Sequence, residues 1–81
     1  MTTISIKIIK ISDSSISSVY VFGNPPNKIK GKVEIYKSDG SIKIHYIEKY
    51  RYFRTLLPYV KKLLIENHIL NQYPKILYYN S

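Results

Sequence analysis

The feature that most restricts the fold is a turn signal, Asp39-Gly40, between two runs of alternating polar and apolar residues. A two-residue type I′ turn needs positive φ at both central positions, and aspartate followed by glycine suits it. With these two residues as the turn, Ile35 pairs with Ile44. One face of the hairpin then carries Val33, Ile35, Ile42, Ile44 and Tyr46. The other carries Lys32, Glu34, Tyr36, Lys43 and His45. The sequence therefore predicts an antiparallel hairpin with one apolar face and one basic, aromatic face.

A long helix is predicted after the hairpin, from about residue 49 to residue 71. Its apolar stripe recurs at helical spacing and consists of Phe53, Leu56, Leu57, Val60, Leu63 and Leu64. Pro58 interrupts this stripe, because proline lacks a backbone N–H and clashes with the preceding turn. Either the helix kinks at Pro58, or it begins near Leu57 with Pro58 in its first turn.

The N-terminal part of the sequence predicts a strand, followed by a segment whose pattern fits either a helix or a strand. Residues 3–11 alternate as a strand does. Residues 12–22 begin with good N-cap residues and place Ile16, Val19 and Tyr20 on one helical stripe. The run from Val19 to Phe22 also has strong strand propensity. We predict a short helix over residues 12–22.

These elements predict an α+β fold of order β-α-β-β-α, a three-stranded antiparallel sheet packed on a short and a long helix. The 81 residues form a single domain, with residues 1–71 as the module and residues 72–81 as an apolar tail. We expect the tail to pack as an edge strand or to dock on a partner. So short a chain buries only about 60% of the surface that its unfolded form exposes. Since it has no cysteine for a disulfide, we expect dimerisation to extend the sheet.

The charge balance is strongly basic, with 13 lysines and arginines against five acidic residues and a net charge of +8. Such a chain attracts phosphate backbones or acidic protein surfaces. Lysine enrichment also arises from AT-biased coding or from adaptation to high temperature. The sequence shows neither a signal-peptide pattern nor a run of about 20 apolar residues, so we expect a cytoplasmic protein without a membrane partner.

The residues offer little for catalysis. Cysteine is absent, and the serines between Ser12 and Ser18 have no glycine elbow around them. His45 and His68 have no histidine four positions away and no clustered carboxylates, which argues against a metal site. There is no glycine-rich phosphate-binding motif. We expect a non-enzymatic protein that needs no cofactor or metal.

The sequence is richer in basic and aromatic residues than in candidate catalytic residues. Lysines flanked by rings bind phosphates and unpaired bases, although a solvated sheet face protected by lysines has the same composition. A second basic group opens the long helix, where cations oppose the helix dipole and so point to a ligand. The predicted nucleic-acid-binding residues of the two groups are Lys28, Lys30, Lys32, Lys43, Arg51 and Arg54.

The order of the elements resembles that of the CTAG/Pcc family, the small dimerising subunit of the KEOPS complex. The matching stretches are SDSSISSVYVFGNPPNKIKGKVEIYKSDGSIKIHYIEKY and YFRTLLPYVKKLLIENHIL. Phe53-Arg54 takes the place of a leucine-arginine step in the family, and the family order makes residues 12–22 a helix. The chain departs from the family at Pro58, and at Lys49 and Tyr50, where an acidic residue is usual.

The resemblance implies a non-catalytic scaffold that forms a homodimer, or a heterodimer with a paralogue. It further implies docking on a Kae/TsaD-like catalytic subunit and help in holding tRNA during threonylcarbamoyladenosine modification. The implied docking residues are Ile16, Val19, Tyr20, Leu56, Val60, Leu63 and Leu64. The alternative hypothesis is a free-standing small basic nucleic-acid-binding protein of a virus or plasmid. A third, a small enzyme or ligand-binding protein with its site across a dimer interface, would depend on His45 and Glu48.

Overall fold

The structure, a computed structural model, describes residues 5–24, 28–47 and 51–80. These ranges contain five strands and one helix: β1 (Ser5–Asp13), β2 (Ser17–Asn24), β3 (Lys28–Tyr36), β4 (Ile42–Ile47), α1 (Arg51–Ile69) and β5 (Ile76–Asn80). The strands form one antiparallel sheet in the order β4-β3-β2-β1-β5. The predicted fold, a three-stranded sheet with two helices in the order β-α-β-β-α, is therefore wrong.

The predicted short helix over residues 12–22 is instead the end of β1, a turn and most of β2. The backbone N–H of Ser14 donates to the carbonyl of Ser17 at 2.9 Å, and the N–H of Ser17 donates to Ser14 Oγ at 3.1 Å. Serine side chains that suit a helix N-cap suit such a turn equally. The strand propensity of residues 19–22, satisfied by pairing with β1 and β3, outweighs their helical stripe.

The C-terminal tail forms β5, an edge strand that pairs with β1. The chain reverses after α1 through Asn71, which has a φ of 57°. The N–H of Gln72 donates to the carbonyl of Asn67 at 2.8 Å, and that of Asn71 to the carbonyl of His68 at 2.8 Å. This is the Schellman pattern, with asparagine in the left-handed position. It directs the tail back towards the edge of β1.

The β3–β4 hairpin has a longer loop than the predicted two-residue turn. The N–H of Tyr36 donates to the carbonyl of Ser41 at 2.9 Å, and the N–H of Gly40 to the carbonyl of Tyr36 at 2.8 Å. Gly40 has a φ of 75°, but Asp39 is not in the left-handed region, as a type I′ turn would require. The Asp39 side chain instead accepts a hydrogen bond from the N–H of Ser41 at 2.9 Å. This side-chain bond stabilises the wider loop.

The longer loop moves the register by two positions, so that Ile35 partners Ile42 instead of Ile44. A shift of two keeps each side chain on its predicted face, because side chains alternate with a period of two. A bulge at Lys32/Val33 then makes Lys32 the partner of Tyr46. Tyr46 therefore lies on the basic face and not on the apolar face where the sequence placed it.

Helix α1 runs through Pro58 without ending, so the predicted alternative of a helix beginning near Leu57 is wrong. Pro58 lies on the exposed side of α1. The opposite side of the helix packs on the sheet through Leu56, Val60 and Leu64, which are at most 2% exposed. Their buried partners on the strands are Ile6, Ile8, Tyr20, Phe22, Val33 and Ile35. We call this side of the sheet the covered face.

Candidate nucleic-acid interface

The opposite side of the sheet carries no helix in the part of the chain that the structure describes. We call it the open face. One row of partnered residues crosses all five strands there, and its members are Ile76, Ile9, Val21, Lys32 and Tyr46. Strands lie about 4.8 Å apart, so this row is about 19 Å long. Val21, at its centre, is only 7% exposed, because its neighbours on β1 and β3 stand on either side of it.

Exposed aromatic rings stand near both edges of the open face. Tyr46, on β4, is 52% exposed, and Tyr78, on β5, is 60% exposed. Each has a lysine as its partner on the neighbouring strand, Lys32 and Lys7 respectively. The ammonium of Lys7 lies 5.9 Å from the centre of the Tyr78 ring. Each edge therefore offers a flat ring beside a positive charge.

A polar network centred on Glu34 lies beside the row on the open face. One carboxylate oxygen of Glu34 accepts a hydrogen bond from the Ser17 hydroxyl. The other lies 2.8 Å from Nε2 of His45 and 3.4 Å from the hydroxyl of Tyr36. The bond from Ser17, and next that from His45, lower the pKa of Glu34. Glu34 is therefore an ionised carboxylate fixed by three side chains.

This network does not have the connections of a hydrolase triad. In such a triad the serine hydroxyl donates to a histidine, which a carboxylate then orients. Here the Ser17 hydroxyl donates directly to Glu34, and His45 binds the same carboxylate from another side. Nothing in this arrangement activates the serine as a nucleophile.

The structure brings two of the predicted nucleic-acid-binding residues to the open face. Lys32 and Lys43 are both exposed there, and Lys43 partners Glu34. The predicted companions of these lysines, Tyr36 and His45, also lie on this face, in contact with Glu34. For the remaining predicted residues the structure describes only the backbone: that of Lys28 and Lys30 in β3, and that of Arg51 and Arg54 in α1.

The predicted docking residues are divided between the two faces and a turn. Four of them lie in the core and are at most 2% exposed: Tyr20, Leu56, Val60 and Leu64. Side chains covered by their own chain offer no surface to a partner in this conformation, so the wide apolar stripe of α1 is mainly core. Leu63 and Val19 are partly buried, Val19 on the open face, and Ile16 is 69% exposed in the β1–β2 turn.

A second polar cluster lies at one end of the covered face. Asp13 accepts a hydrogen bond from the Ser18 hydroxyl at 2.6 Å and an ion pair from Lys37 at 2.9 Å. These two contacts lower the pKa of Asp13 to about 2. Lys10 lies 3.5 Å from Asp13 and donates to the carbonyl of Tyr73 at 2.8 Å. The cluster thus joins the strands to the segment that leads into β5.

Two further contacts hold the same segment. The hydroxyl of Tyr20 donates to the carbonyl of Pro74 at 2.7 Å, and burial raises its pKa to about 12. Nδ1 of His68 lies 2.6 Å from the hydroxyl of Tyr73. His68 is therefore part of the packing between α1 and the tail. We assign the whole cluster a structural role.

The residues of the open face that were not predicted as functional include Lys7, Tyr46 and Tyr78. The alternation of β1 does put Lys7 opposite the buried isoleucines, but no sequence signal paired it with the tail. The run from Ile76 to Tyr79 alternates between the faces once it is read as a strand. The position of Tyr46 depends on a bulge, which leaves no clear mark in the sequence.

Compared with known proteins, the chain matches no protein-family model, no curated protein and no solved structure. The described residues contain no group of three histidines and carboxylates able to hold a metal ion. Among the same residues, no helix combines the length and the apolar character needed to cross a membrane. The function must therefore be inferred from the chemistry of the site.

Proposed function

We propose that this protein binds single-stranded nucleic acid across its open face. The observation that carries the proposal is the row from Ile76 to Tyr46, with an exposed tyrosine and a partnered lysine near each edge of the sheet. An apolar, ring-bearing strip of about 19 Å fits a single strand of about four nucleotides, the low end of the site sizes of small β modules.

The lysines and the tyrosines of the open face have separate roles in this binding. Lys7, Lys32 and Lys43 attract phosphates, and a net charge of +8 adds to this attraction at longer range. Tyr46 and Tyr78 offer ring surfaces on which bases stack, at about 1–3 kcal/mol per base. In a duplex the bases are already stacked and paired, so the rings favour a single strand.

The charge of the chain also favours nucleic acid over a second copy of the chain as the ligand of the open face. Pairing two open faces would bring two proteins of charge +8 together, with the lysines of one facing those of the other. Like charges oppose such a contact, whereas a polyanion is attracted. Dimerisation through other surfaces stays a prediction.

A scaffold role in the KEOPS complex also stays a prediction. The resemblance implied a helix over residues 12–22, where the chain has the end of β1, a turn and most of β2. It also implied a docking stripe on α1, most of which lies in the core. We therefore prefer the free-standing binding protein, and we place it in the cytoplasm as part of the proposal.

The proposal is tested by fluorescence anisotropy with labelled eight-nucleotide RNA and DNA of mixed sequence, titrated at several salt concentrations. We expect binding that weakens with salt, and weaker binding of the corresponding duplex. In the variant K7A/K32A, the slope of log K against log salt should fall by about 1.4, because each single-strand phosphate contact contributes about 0.7.

The matched control is K61A/K62A, which removes the same charge from α1, on the other side of the molecule. If net charge alone drove binding, the two double variants would lose affinity equally. A larger loss of affinity for K7A/K32A than for K61A/K62A supports binding at the open face. Equal losses, or no binding to any single strand, would refute the proposal.

A further inference from the structure

The open face carries one carboxylate, Glu34, in a place where a polyanion is proposed to bind. Its side chain is 18% exposed, so part of it remains accessible. A negative charge here repels phosphates, which must pass on the sides where the lysines lie. The part of the ligand that faces Glu34 must therefore be a base edge. This inference rests on the proposed function and asks which bases the site accepts.

Glu34 retains capacity for one more hydrogen bond. A carboxylate has about four acceptor positions on its two oxygens. Three donors occupy it: the hydroxyl of Ser17 on one oxygen, and His45 and Tyr36 on the other. The free position lies on the oxygen that Ser17 binds. Since the three donors fix the carboxylate, a ligand meets it already in place.

Glu34 lies next to the stacking position at Tyr46. The partner of Tyr46 is Lys32, two residues from Glu34 on the same face of β3. Diagonal neighbours on adjacent strands are about 7–8 Å apart, within reach of a base that extends beyond the ring below it. His45, beside Tyr46 on β4, already bridges this gap to Glu34 at 2.8 Å. A base stacked on Tyr46 that extends past His45 would have one edge towards the carboxylate oxygen that Ser17 binds.

We propose that Glu34 accepts a hydrogen bond from the exocyclic amino group of a base stacked on Tyr46, so that the site prefers adenine, cytosine or guanine to uracil or thymine. Acidic side chains recognise the N4 amino group of cytosine in the same way. Uracil and thymine have carbonyl oxygens where cytosine has this amino group, and these oxygens would face a negative charge.

The test compares C8 with U8, two pyrimidine RNAs of equal charge, for the wild-type protein and for E34Q. We expect the wild-type protein to bind C8 about five- to tenfold more tightly than U8. In E34Q the ratio should fall towards one, since an amide both accepts and donates. The matched control is E66Q, which makes the same charge change on the exposed surface of α1 and should keep the preference.

A second measurement leaves the protein unchanged. An octamer of pyrimidin-2-one ribonucleotides, which are cytidines without the amino group, should bind the wild-type protein more weakly than C8. Equal binding of C8 and U8, an unchanged ratio in E34Q, or equal binding of the pyrimidinone octamer would overturn the inference and leave the proposed function standing. Absence of binding to any single strand would refute both.

Discussion

The two faces of the sheet are built from alternate residues of the same strands, yet they differ in almost every physical respect. On the covered face, Ile8 and Val33 are fully buried beneath α1. On the open face, the adjacent positions are held by Ile9 and Lys32, which keep solvent contact. A residue's face, and not its place along the chain, therefore decides whether α1 covers it.

Each face also has its own polar cluster with an ionised carboxylate. Asp13 on the covered side is bound by two lysines and a serine, and it helps fix the segment before β5. Glu34 on the open side is bound by neutral hydroxyls and a histidine, with no lysine within ion-pair distance among the described side chains. The first carboxylate is thus paired with lysines of its own chain, whereas the second has only hydroxyls and a histidine as partners among the described side chains.

The largest effect should come from removing a covered-face side chain. Leu56 is fully buried, so Leu56→Ala should lower the free energy of unfolding by about 2–5 kcal/mol. Urea denaturation followed by circular dichroism measures this loss. On the open face, Lys32→Ala should change stability by no more than about 0.5 kcal/mol. Similar losses of stability in the two variants would contradict the distinction between the covered face and the open face.

Two neighbouring tyrosines sharpen the comparison, because they lie on one strand and point to opposite faces. The ring of Tyr79 stacks on that of Tyr59 with centres 4.8 Å apart, and Tyr79 packs against the core. Tyr79→Ala should therefore cost about 2 kcal/mol of stability. Tyr78→Ala should leave stability nearly unchanged and weaken single-strand binding by about 1–3 kcal/mol. Chemical denaturation of both variants measures the loss of stability, and anisotropy titration measures the loss of affinity for a single strand.

The smallest effect concerns pH. The pKa of Asp13 is about 2, below its ordinary value of 3.8, so its ionised form stabilises the folded state. This stabilisation is complete above about pH 4 and is lost as the pH falls through 2. Asp13→Asn should therefore be less stable than wild type at pH 6, and the two proteins should converge near pH 2. A constant difference in urea midpoint across this range would contradict the assigned role of Asp13.

The sequence predicted those parts of the fold that depend on local pattern. The strand character of residues 3–11, the hairpin faces apart from Tyr46 and the long helix follow from alternation or helical spacing. The strands β1, β3 and β4 and the helix α1 lie there, with residues 3 and 4 outside the part of the chain that the structure describes. The predicted basic face was right for Lys32 and Lys43 because a register shift of two residues preserves the faces.

The remaining parts depend on contacts between distant segments. Residues 12–22 satisfy helical and strand patterns alike, and pairing with both β1 and β3 decides between them. The tail becomes a strand because Asn71 reverses the chain and β1 offers an unpaired edge. The bulge that turns Tyr46 to the open face arises within the β3–β4 pairing itself. Local propensity contains none of this information.

The most direct test of the account is methyl NMR of the protein titrated with a single-stranded RNA octamer. Ile8 and Ile9 are neighbours on β1 that report on the covered and the open face, respectively. Val33 on β3 and Val21 on β2 are a second pair of probes for the same two faces. We predict large shift changes for the open-face methyl groups and small ones for the covered-face groups. Changes that concentrate on α1 or on the covered face, or that are absent throughout, would contradict the account.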